Sequence, residues 1–300
     1  MKKIFVLLLI VVPVIVLFLY GLGRDPRILP SALIQKPAPT FSLLTLDGKT
    51  MTLEELKGKP IVLNFWSTWC GPCLDEHRVI MSARTQFPDV QFLAVLYEDT
   101  PENARAFLKK FGVGSTVLID EHLKTAIDYG VAGVPETYFI DAHGIIADKH
   151  AGVLTPRILE EKLSWLERAV DTEVVPDLPH PNPPLTKGRE KKMTGPAGSV
   201  ADIQSRMEYL GSMLRCPVCR GVPIADSPSE MAKQMMGQIR EFVQSGKSDE
   251  EILSYFVARY GEWVLLKPKP RQHLLVWILP FLFLIGGGGI LYFKLRKERT

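Results

Sequence analysis

The chain has 300 residues, 46% of them hydrophobic and 23% charged, which indicates two folded units rather than one small domain or a disordered chain. The 36 Lys and Arg residues nearly balance the 33 Asp and Glu residues, and the net charge of +3 provides no basic patch for nucleic acid. The four cysteines are too few for a disulfide-stabilised secreted scaffold, but they form two CxxC pairs, which indicates cysteine chemistry.

Each end of the chain carries a long apolar segment. Residues 4–22 and 274–293 contain no charged side chain, and each is long enough to cross a hydrocarbon core of roughly 30 Å as a helix. A cleaved signal peptide is the alternative for the first segment, although its apolar run is longer than a usual signal core. We predict a transmembrane anchor at residues 1–23 and a transmembrane helix at residues 274–293, both in contact with membrane lipid.

Basic residues predict how the two spans are oriented. Lys2 and Lys3 precede the first span, and four basic residues follow the second within the last seven positions. Basic flanks stay on the cytoplasmic side of a membrane. Both termini are therefore predicted to be cytoplasmic, with the residues between the spans on the outer side. In bacteria that side is oxidising, and free thiol pairs persist there only if a reductant recharges them.

Residues 35–169 have the pattern of an α/β domain. Two apolar runs rich in β-branched and aromatic residues, 60–66 and 90–96, are typical of buried parallel strands, and residues 70–87 between them carry helix signals. Together they predict a βαβ unit. The elements predicted after it are helix 102–111, strand 116–120, helix 121–129, a hairpin of 137–141 with 145–151, and helix 155–169.

A change of composition marks the boundary to a second block. Residues 170–199 are rich in proline, glycine and polar residues, which predicts a linker. Residues 200–270 lack a strand pattern and contain three helical segments, 202–214, 229–245 and 248–260, the last opened by a capping box of Ser248 and Glu251. A small all-α three-helix bundle buries little core by itself, so we expect it to lean on the membrane or a partner.

The first cysteine pair, Cys70 and Cys73, is predicted to lie where a buried strand ends and a helix begins. The helix N-terminus stabilises a thiolate and lowers the pKa of the first cysteine. This predicts Cys70 as the nucleophile and Cys73 as the resolving thiol. A zinc half-site and a structural disulfide are the alternatives, but no nearby Cys or His completes a zinc site, and covalent haem attachment requires a His after the second cysteine. We therefore predict no metal and no cofactor.

A longer pattern around this pair carries a family resemblance. The strand, the WCGPC motif with Trp69, and the helix resemble the thioredoxin fold. Residues 37–43 (PAPTFSL), 64–73 (NFWSTWCGPC) and 129–141 (YGVAGVPETYFID) together resemble the membrane-tethered cytochrome c biogenesis thioredoxins of the CcmG/DsbE type. The similarity covers about residues 35–168. It implies that Pro135 is cis and faces Cys70.

The same resemblance bears on proton transfer. Asn64 stands where ordinary thioredoxins carry a buried proton-accepting Asp. The resemblance places Glu76 and Glu136 near the dithiol, so either is a candidate for this role. A solvated carboxylate without a role is the alternative for both.

The second pair, Cys216 and Cys219, lies between predicted helices. Alone it leaves metal and redox roles open. Residues 214–221 (LRCPVCRG), 248–252 (SDEEI) and 259–268 (RYGEWVLLKP), followed by an apolar span, resemble the CcmH-type subunit of cytochrome c biogenesis. The match covers about residues 203–295, and it implies a three-helix bundle whose thiols take part in delivering reduced apocytochrome.

The two resemblances predict a fusion: an α/β thioredoxin-like domain plus a small all-α three-helix bundle, flanked by two transmembrane helices. They imply a bacterial inner-membrane thiol-disulfide oxidoreductase whose periplasmic domains keep the cysteines of apocytochrome c reduced for haem ligation. The implied partners are apocytochrome c, a membrane thiol transporter that supplies electrons, and the haem-ligation membrane complex. The alternatives are a general envelope disulfide oxidase or isomerase, and an assembly scaffold with dispensable thiols.

Overall fold

The computed structural model describes residues 31–170, 200–219 and 221–267. They form an α/β unit, residues 31–170, followed by a helical unit, residues 200–267. The predicted membrane spans, and the predicted linker after its first residue, lie outside the described residues. Within the described ranges, no helix is both long enough and apolar enough to cross a membrane.

A seven-stranded mixed sheet forms the framework of the α/β unit. Its strands are β1 (Ser42–Thr45), β2 (Thr50–Thr52), β3 (Ile61–Trp66), β4 (Gln91–Leu96), β5 (Thr116–Ile119), β6 (Glu136–Ile140) and β7 (Ile146–Ala151). Their spatial order is β2-β1-β5-β4-β3-β6-β7. The central strands β3, β4 and β5 run parallel, whereas β1 and β6 pair antiparallel with their neighbours. Every residue of β3 is buried, which explains why all of them except Asn64 are apolar.

Four helices complete the α/β unit: α1 (Gly71–Gln86), α2 (Pro101–Phe111), α3 (Lys124–Tyr129) and α4 (Pro156–Val170). Helix α1 connects β3 to its parallel neighbour β4, so the predicted βαβ unit is confirmed. The antiparallel pairing of β6 with β7 confirms the predicted hairpin. This arrangement is the thioredoxin-like α/β fold that the resemblance implies.

Helix α3 begins three residues later than predicted. Leu123 has a φ of +52°, a left-handed conformation that does not continue a helix. The carboxylate of Asp120 accepts the backbone N–H groups of Thr125 and Ala126 at 3.2 and 2.9 Å. Residues 121–123 therefore form a turn, and Asp120 satisfies the free amides at the start of α3.

The helical unit contains α5 (Val200–Met213), α6 (Glu230–Gln244) and α7 (Asp249–Tyr260), which confirms the three predicted helices. The predicted capping box opens α7. The backbone N–H of Glu251 donates to the Ser248 hydroxyl at 3.3 Å, and the N–H of Ser248 donates to the Glu251 carboxylate at 2.7 Å. These two bonds satisfy amides that the first helical turn leaves unpaired.

The two units share one apolar core. The largest buried cluster includes Leu63 and Phe65 of the sheet together with Met235 and Ile239 of α6 and Phe256 of α7. A bundle of this size buries little core by itself, and packing on a neighbour supplies more. The support expected from a membrane or a partner comes, in this structure, from the α/β unit of the same chain.

Candidate active site

The first cysteine pair lies at the junction of β3 and α1. Cys70 is the N-cap residue of α1, and its sulfur accepts the backbone N–H of Cys73 at 3.2 Å. The two cysteines are joined by a disulfide. Cys70 is 6% exposed and Cys73 is 2% exposed. Cys70 is thus slightly the more exposed residue of the pair, at a helix N-terminus that stabilises a thiolate once the bond is reduced.

The loop before Cys70 is fixed by the turn after β4. The Trp69 indole N–H donates to the carbonyl oxygen of Glu98 at 3.0 Å, and the backbone N–H of Thr68 donates to Asp99 at 2.7 Å. Burial tends to raise the pKa of Asp99, but hydrogen bonds from Thr68, Thr100 and Asn103 lower it below the usual value. The sequence did not indicate Asp99, because this contact joins residues far apart in the chain. Trp69 itself is 59% exposed and offers an apolar surface beside Cys70.

Glu76 is a buried carboxylate on α1, 1% exposed. Its Oε1 accepts the side-chain amide of Asn64 at 2.8 Å, and its Oε2 accepts the backbone N–H of Leu154 at 2.9 Å. Burial raises the pKa of Glu76 to about 7, and these two hydrogen bonds oppose part of that rise. A carboxyl group with a pKa near neutrality is suited to both taking and giving a proton.

A small cavity links the partner of Glu76 to the dithiol. Asn64 and Cys73 both line it, and Glu76 follows Cys73 by three positions on the same face of α1. His77 lines the cavity as well, with its Nε2 3.0 Å from the carbonyl oxygen of Gly112. Burial lowers the pKa of His77, which favours its neutral form. Asn64 therefore contacts the buried carboxyl group and lines the same cavity as Cys73.

The peptide bond between Val134 and Pro135 is cis, as predicted. Val134 packs against the apolar cluster that contains the first cysteine pair. The neighbouring Glu136 forms an ion pair with Lys149 at 2.7 Å, and both side chains are 7% exposed. Burial raises the pKa of Glu136, and the paired Lys149 opposes this rise. Glu76 has no such charged partner among the bonds described above, which come from uncharged donors.

The second cysteine pair follows α5 and precedes α6. Cys216 is fully buried, Cys219 is half-buried, and both are free thiols. The Cys216 sulfur accepts the Ser227 hydroxyl at 3.3 Å and the N–H of Cys219 at 3.2 Å, and the Ser229 hydroxyl lies 3.4 Å away. Burial raises the pKa of Cys216, but these hydrogen bonds lower it below the usual value. The sequence did not single out the two serines.

The described residues around the two cysteine pairs form no cluster of metal ligands. Within residues 31–170, 200–219 and 221–267, no group of three or more His, Cys, Asp and Glu side chains is arranged to hold a metal ion. Their surroundings instead favour thiol chemistry, with a helix N-terminus at Cys70 and hydroxyl donors at Cys216.

Known proteins resemble the two halves of the chain separately. The thiol:disulfide interchange protein DsbE of Allochromatium vinosum is 39% identical over 150 residues, which are 49% of this chain and 82% of that protein. The chain belongs to the DsbE family of thiol:disulfide interchange proteins. DsbE of Escherichia coli K12 is 40% identical over 48% of this chain and 79% of its own length. The solved structure of MTB dsbF is 32% identical, with a TM-score of 0.40. The match covers 97% of that chain and 45% of this one.

Family models divide the chain in the same way. Residues 34–149 match the AhpC/TSA family. Residues 195–300 match the CcmH family, described as cytochrome c biogenesis protein. The DsbE relatives cover only about half of the chain, and the CcmH match covers the part that follows. The fusion predicted from the two resemblances is confirmed.

Proposed function

We propose that this chain is a membrane-anchored periplasmic thiol-disulfide oxidoreductase of c-type cytochrome maturation, which keeps the haem-binding cysteines of apocytochrome c reduced. The observation that carries the proposal is the Cys70–Cys73 pair at the N-terminus of α1, in a DsbE-family unit fused to a cytochrome c biogenesis unit. A helix N-terminus favours the thiolate, which is the reactive form of cysteine.

The proposed reaction transfers two electrons to the substrate disulfide. The Cys70 thiolate attacks one substrate sulfur, forms a mixed disulfide and releases the other substrate sulfur as a thiolate, which takes up a proton. Cys73 then loses its proton and attacks the Cys70 sulfur, which releases the second substrate thiol. The substrate is reduced and the Cys70–Cys73 pair is oxidised. A membrane thiol transporter supplies the two electrons that reduce the pair again.

We assign the proton of Cys73 to Glu76. Glu76 lies one helical turn beyond Cys73, its partner Asn64 lines the cavity that Cys73 also lines, and its pKa is raised to about 7 by burial. Glu136 is the weaker candidate, because its carboxylate is paired with buried Lys149. In this assignment Glu136 holds the strand after Pro135 in place through its ion pair with Lys149. The exposed Trp69 ring offers a contact surface for a partner.

In the second pair we assign the first contact to Cys219. Cys219 is half-buried, whereas Cys216 has no exposed surface. Attack requires access as well as thiolate character. Cys216, whose thiolate is favoured by Ser227 and Ser229, would then resolve a mixed disulfide formed at Cys219. The pair receives electrons from Cys70–Cys73 or acts in parallel with it on apocytochrome c, beside the haem-ligation complex.

The direction of electron flow is tested by equilibrating the full chain with a glutathione buffer. A reductant has a reduction potential near the roughly −270 mV of thioredoxin, whereas a strong oxidant lies near about −120 mV. We expect the Cys70–Cys73 pair at the reducing end. A potential at the oxidising end would favour an envelope oxidase or isomerase instead.

The roles of the two pairs are separated by paired serine variants. Cys70→Ser with Cys73→Ser should abolish holocytochrome production, and Cys216→Ser with Cys219→Ser should lower it strongly. Normal production with both serines at 216 and 219 would make the helical unit a scaffold. Labelling reduced Cys70 with a membrane-impermeant thiol reagent in intact spheroplasts tests the periplasmic location, and labelling only after lysis would contradict it.

A further inference from the structure

The helical unit contacts the α/β unit at α3 through a buried ion pair. The carboxylate of Asp128 accepts the Nε–H of Arg259 at 3.0 Å and the hydroxyl of Tyr255 at 2.6 Å. Asp128 and Arg259 are each 2% exposed. The Arg259 guanidinium also lies over the Tyr255 ring, 3.4 Å from its centroid. The acid belongs to one unit, and its arginine and tyrosine partners belong to the other.

In the docked arrangement each of these two buried charges is the ion-pair partner of the other. Burial tends to raise the pKa of Asp128, but Arg259 and Lys124 hold it below the usual value, so the carboxylate is ionised. The Lys124 ammonium group also lies 2.7 Å from Asp128, but the Lys124 side chain is 63% exposed, so its charge is hydrated whether or not the units are docked. A buried charge that loses its partner is strongly destabilising. The Asp128–Arg259 pair therefore specifies how α7 sits on α3, because loss of either partner would leave the other charge buried and unpaired. The apolar core that the two units share supplies the favourable free energy of docking.

A second feature of the same surface is a close approach of the two backbones. Gly130 ends α3 with a φ of +68°, and a Cβ atom at this position would lie 2.4 Å from the carbonyl oxygen of Arg259. No side chain fits at that distance. The surface therefore matches α7 in shape, through the missing side chain at Gly130, as well as in charge, through Asp128.

The docked position also relates the second cysteine pair to the loop of Pro135. Tyr260 follows Arg259 at the end of α7 and is almost fully buried. Burial raises its pKa well above the usual value, and the charges of Glu136 and Cys216 raise it further. Tyr260 and Cys216 belong to the same buried apolar cluster, and Val134, which precedes Pro135, packs against that cluster.

We propose that the α3 surface, defined by Asp128, Gly130 and Lys124, is a docking surface for the helical unit of this chain. The occupant is α7 with Arg259 and Tyr255. Docking at this surface holds the two cysteine pairs in a fixed relation, so the units stay associated when the chain between them is cut. This proposal does not rest on the direction or the existence of electron transfer.

The test uses the full chain in detergent, with a site for a sequence-specific protease inserted between residues 185 and 186 and with micelles in large excess over protein. After cleavage, the N-terminal fragment is captured by a tag and the retained C-terminal fragment is measured over a dilution series. The variants are Asp128→Asn, which removes the charge, and Gly130→Ala, which adds a Cβ at the backbone contact. Glu121→Gln removes an exposed carboxylate before α3 and serves as the matched control.

We expect the cleaved wild type and Glu121→Gln to stay associated, and Asp128→Asn and Gly130→Ala to dissociate at concentrations about 100-fold higher. Dithiol exchange at Cys70–Cys73, measured on each captured fragment, shows that the α/β unit is folded. Separation of the cleaved wild type would overturn the proposal, whatever the variants do. Equal retention of wild type and both folded variants would overturn it too. Neither result alters the redox assignment, which is read from exchange activity.

Discussion

Replacing Glu76 with Gln tests whether the buried carboxyl group titrates near neutrality. Glutamine has nearly the same shape and keeps an oxygen acceptor, but it does not ionise. Burial raises the pKa of Glu76 from 4.5 to about 7 in the folded protein. Because the folded-state pKa lies above the unfolded-state value, the protonated form favours folding. Stability is therefore fully present below the unfolded-state pKa and falls as the pH rises through the folded-state pKa.

The size of this effect follows from the shift. At about 1.4 kcal/mol per pH unit, a rise of the pKa from 4.5 to about 7 corresponds to about 3 kcal/mol of unfolding free energy. The Glu76→Gln variant lacks this loss. We expect the difference in unfolding free energy between the variant and the wild type to shift by about 3 kcal/mol in favour of the variant between about pH 4.5 and about pH 8.

Hydrogen exchange of the β3 amides measures this free energy in the full chain. Amides in a central buried strand exchange when the unit around them unfolds. Other titrating groups are common to both proteins and cancel in their difference. Asp75→Asn removes an exposed carboxylate from the same helix and is the matched control. A difference between Glu76→Gln and wild type that is the same at both pH values would refute the assigned titration.

Two further predictions concern buried groups. Lys149→Met leaves the Glu136 carboxylate buried without its partner and should lower the free energy of unfolding by about 3–5 kcal/mol, measured by exchange of the β6 amides; an unchanged value would show that the pair is not buried in solution. In the reduced protein, a maleimide should modify Cys219 faster than Cys216, on the order of tenfold for each 1.4 kcal/mol of local opening that Cys216 requires. Faster modification of Cys216, read by mass spectrometry, would reverse the roles assigned to this pair.

The sequence predicts the centre of the α/β unit well, because β3 and β4 are buried on both faces and are apolar at every position except Asn64 and Gln91. The hairpin of β1 and β2 was not predicted. These strands have four and three residues, of which all but Thr45 are exposed or half-buried, so their hydrophobic pattern is weak. Their place in the sheet depends on pairing of β1 with β5, more than seventy residues later in the chain.

Within the site, local features were predictable and distant contacts were not. The junction of β3 and α1 places Cys70 and Cys73 by sequence neighbourhood alone. The choice between Glu76 and Glu136 depends on which one lies beside Lys149, a pairing that only the fold decides. The contact between Asp128 and Arg259 joins two units across a predicted linker, and no periodic pattern in either helix indicates it.

The central claim is that Cys70 attacks a partner disulfide and Cys73 resolves the product. Cys73→Ser tests it most directly, because the first step remains and the second is blocked. The account predicts reducible high-mass adducts in cells that carry Cys73→Ser and none with Cys70→Ser, and mass spectrometry of the adducts should find apocytochrome c, the thiol donor, or Cys216 or Cys219 of the same chain. The absence of adducts from Cys73→Ser, together with normal holocytochrome production, would contradict the account.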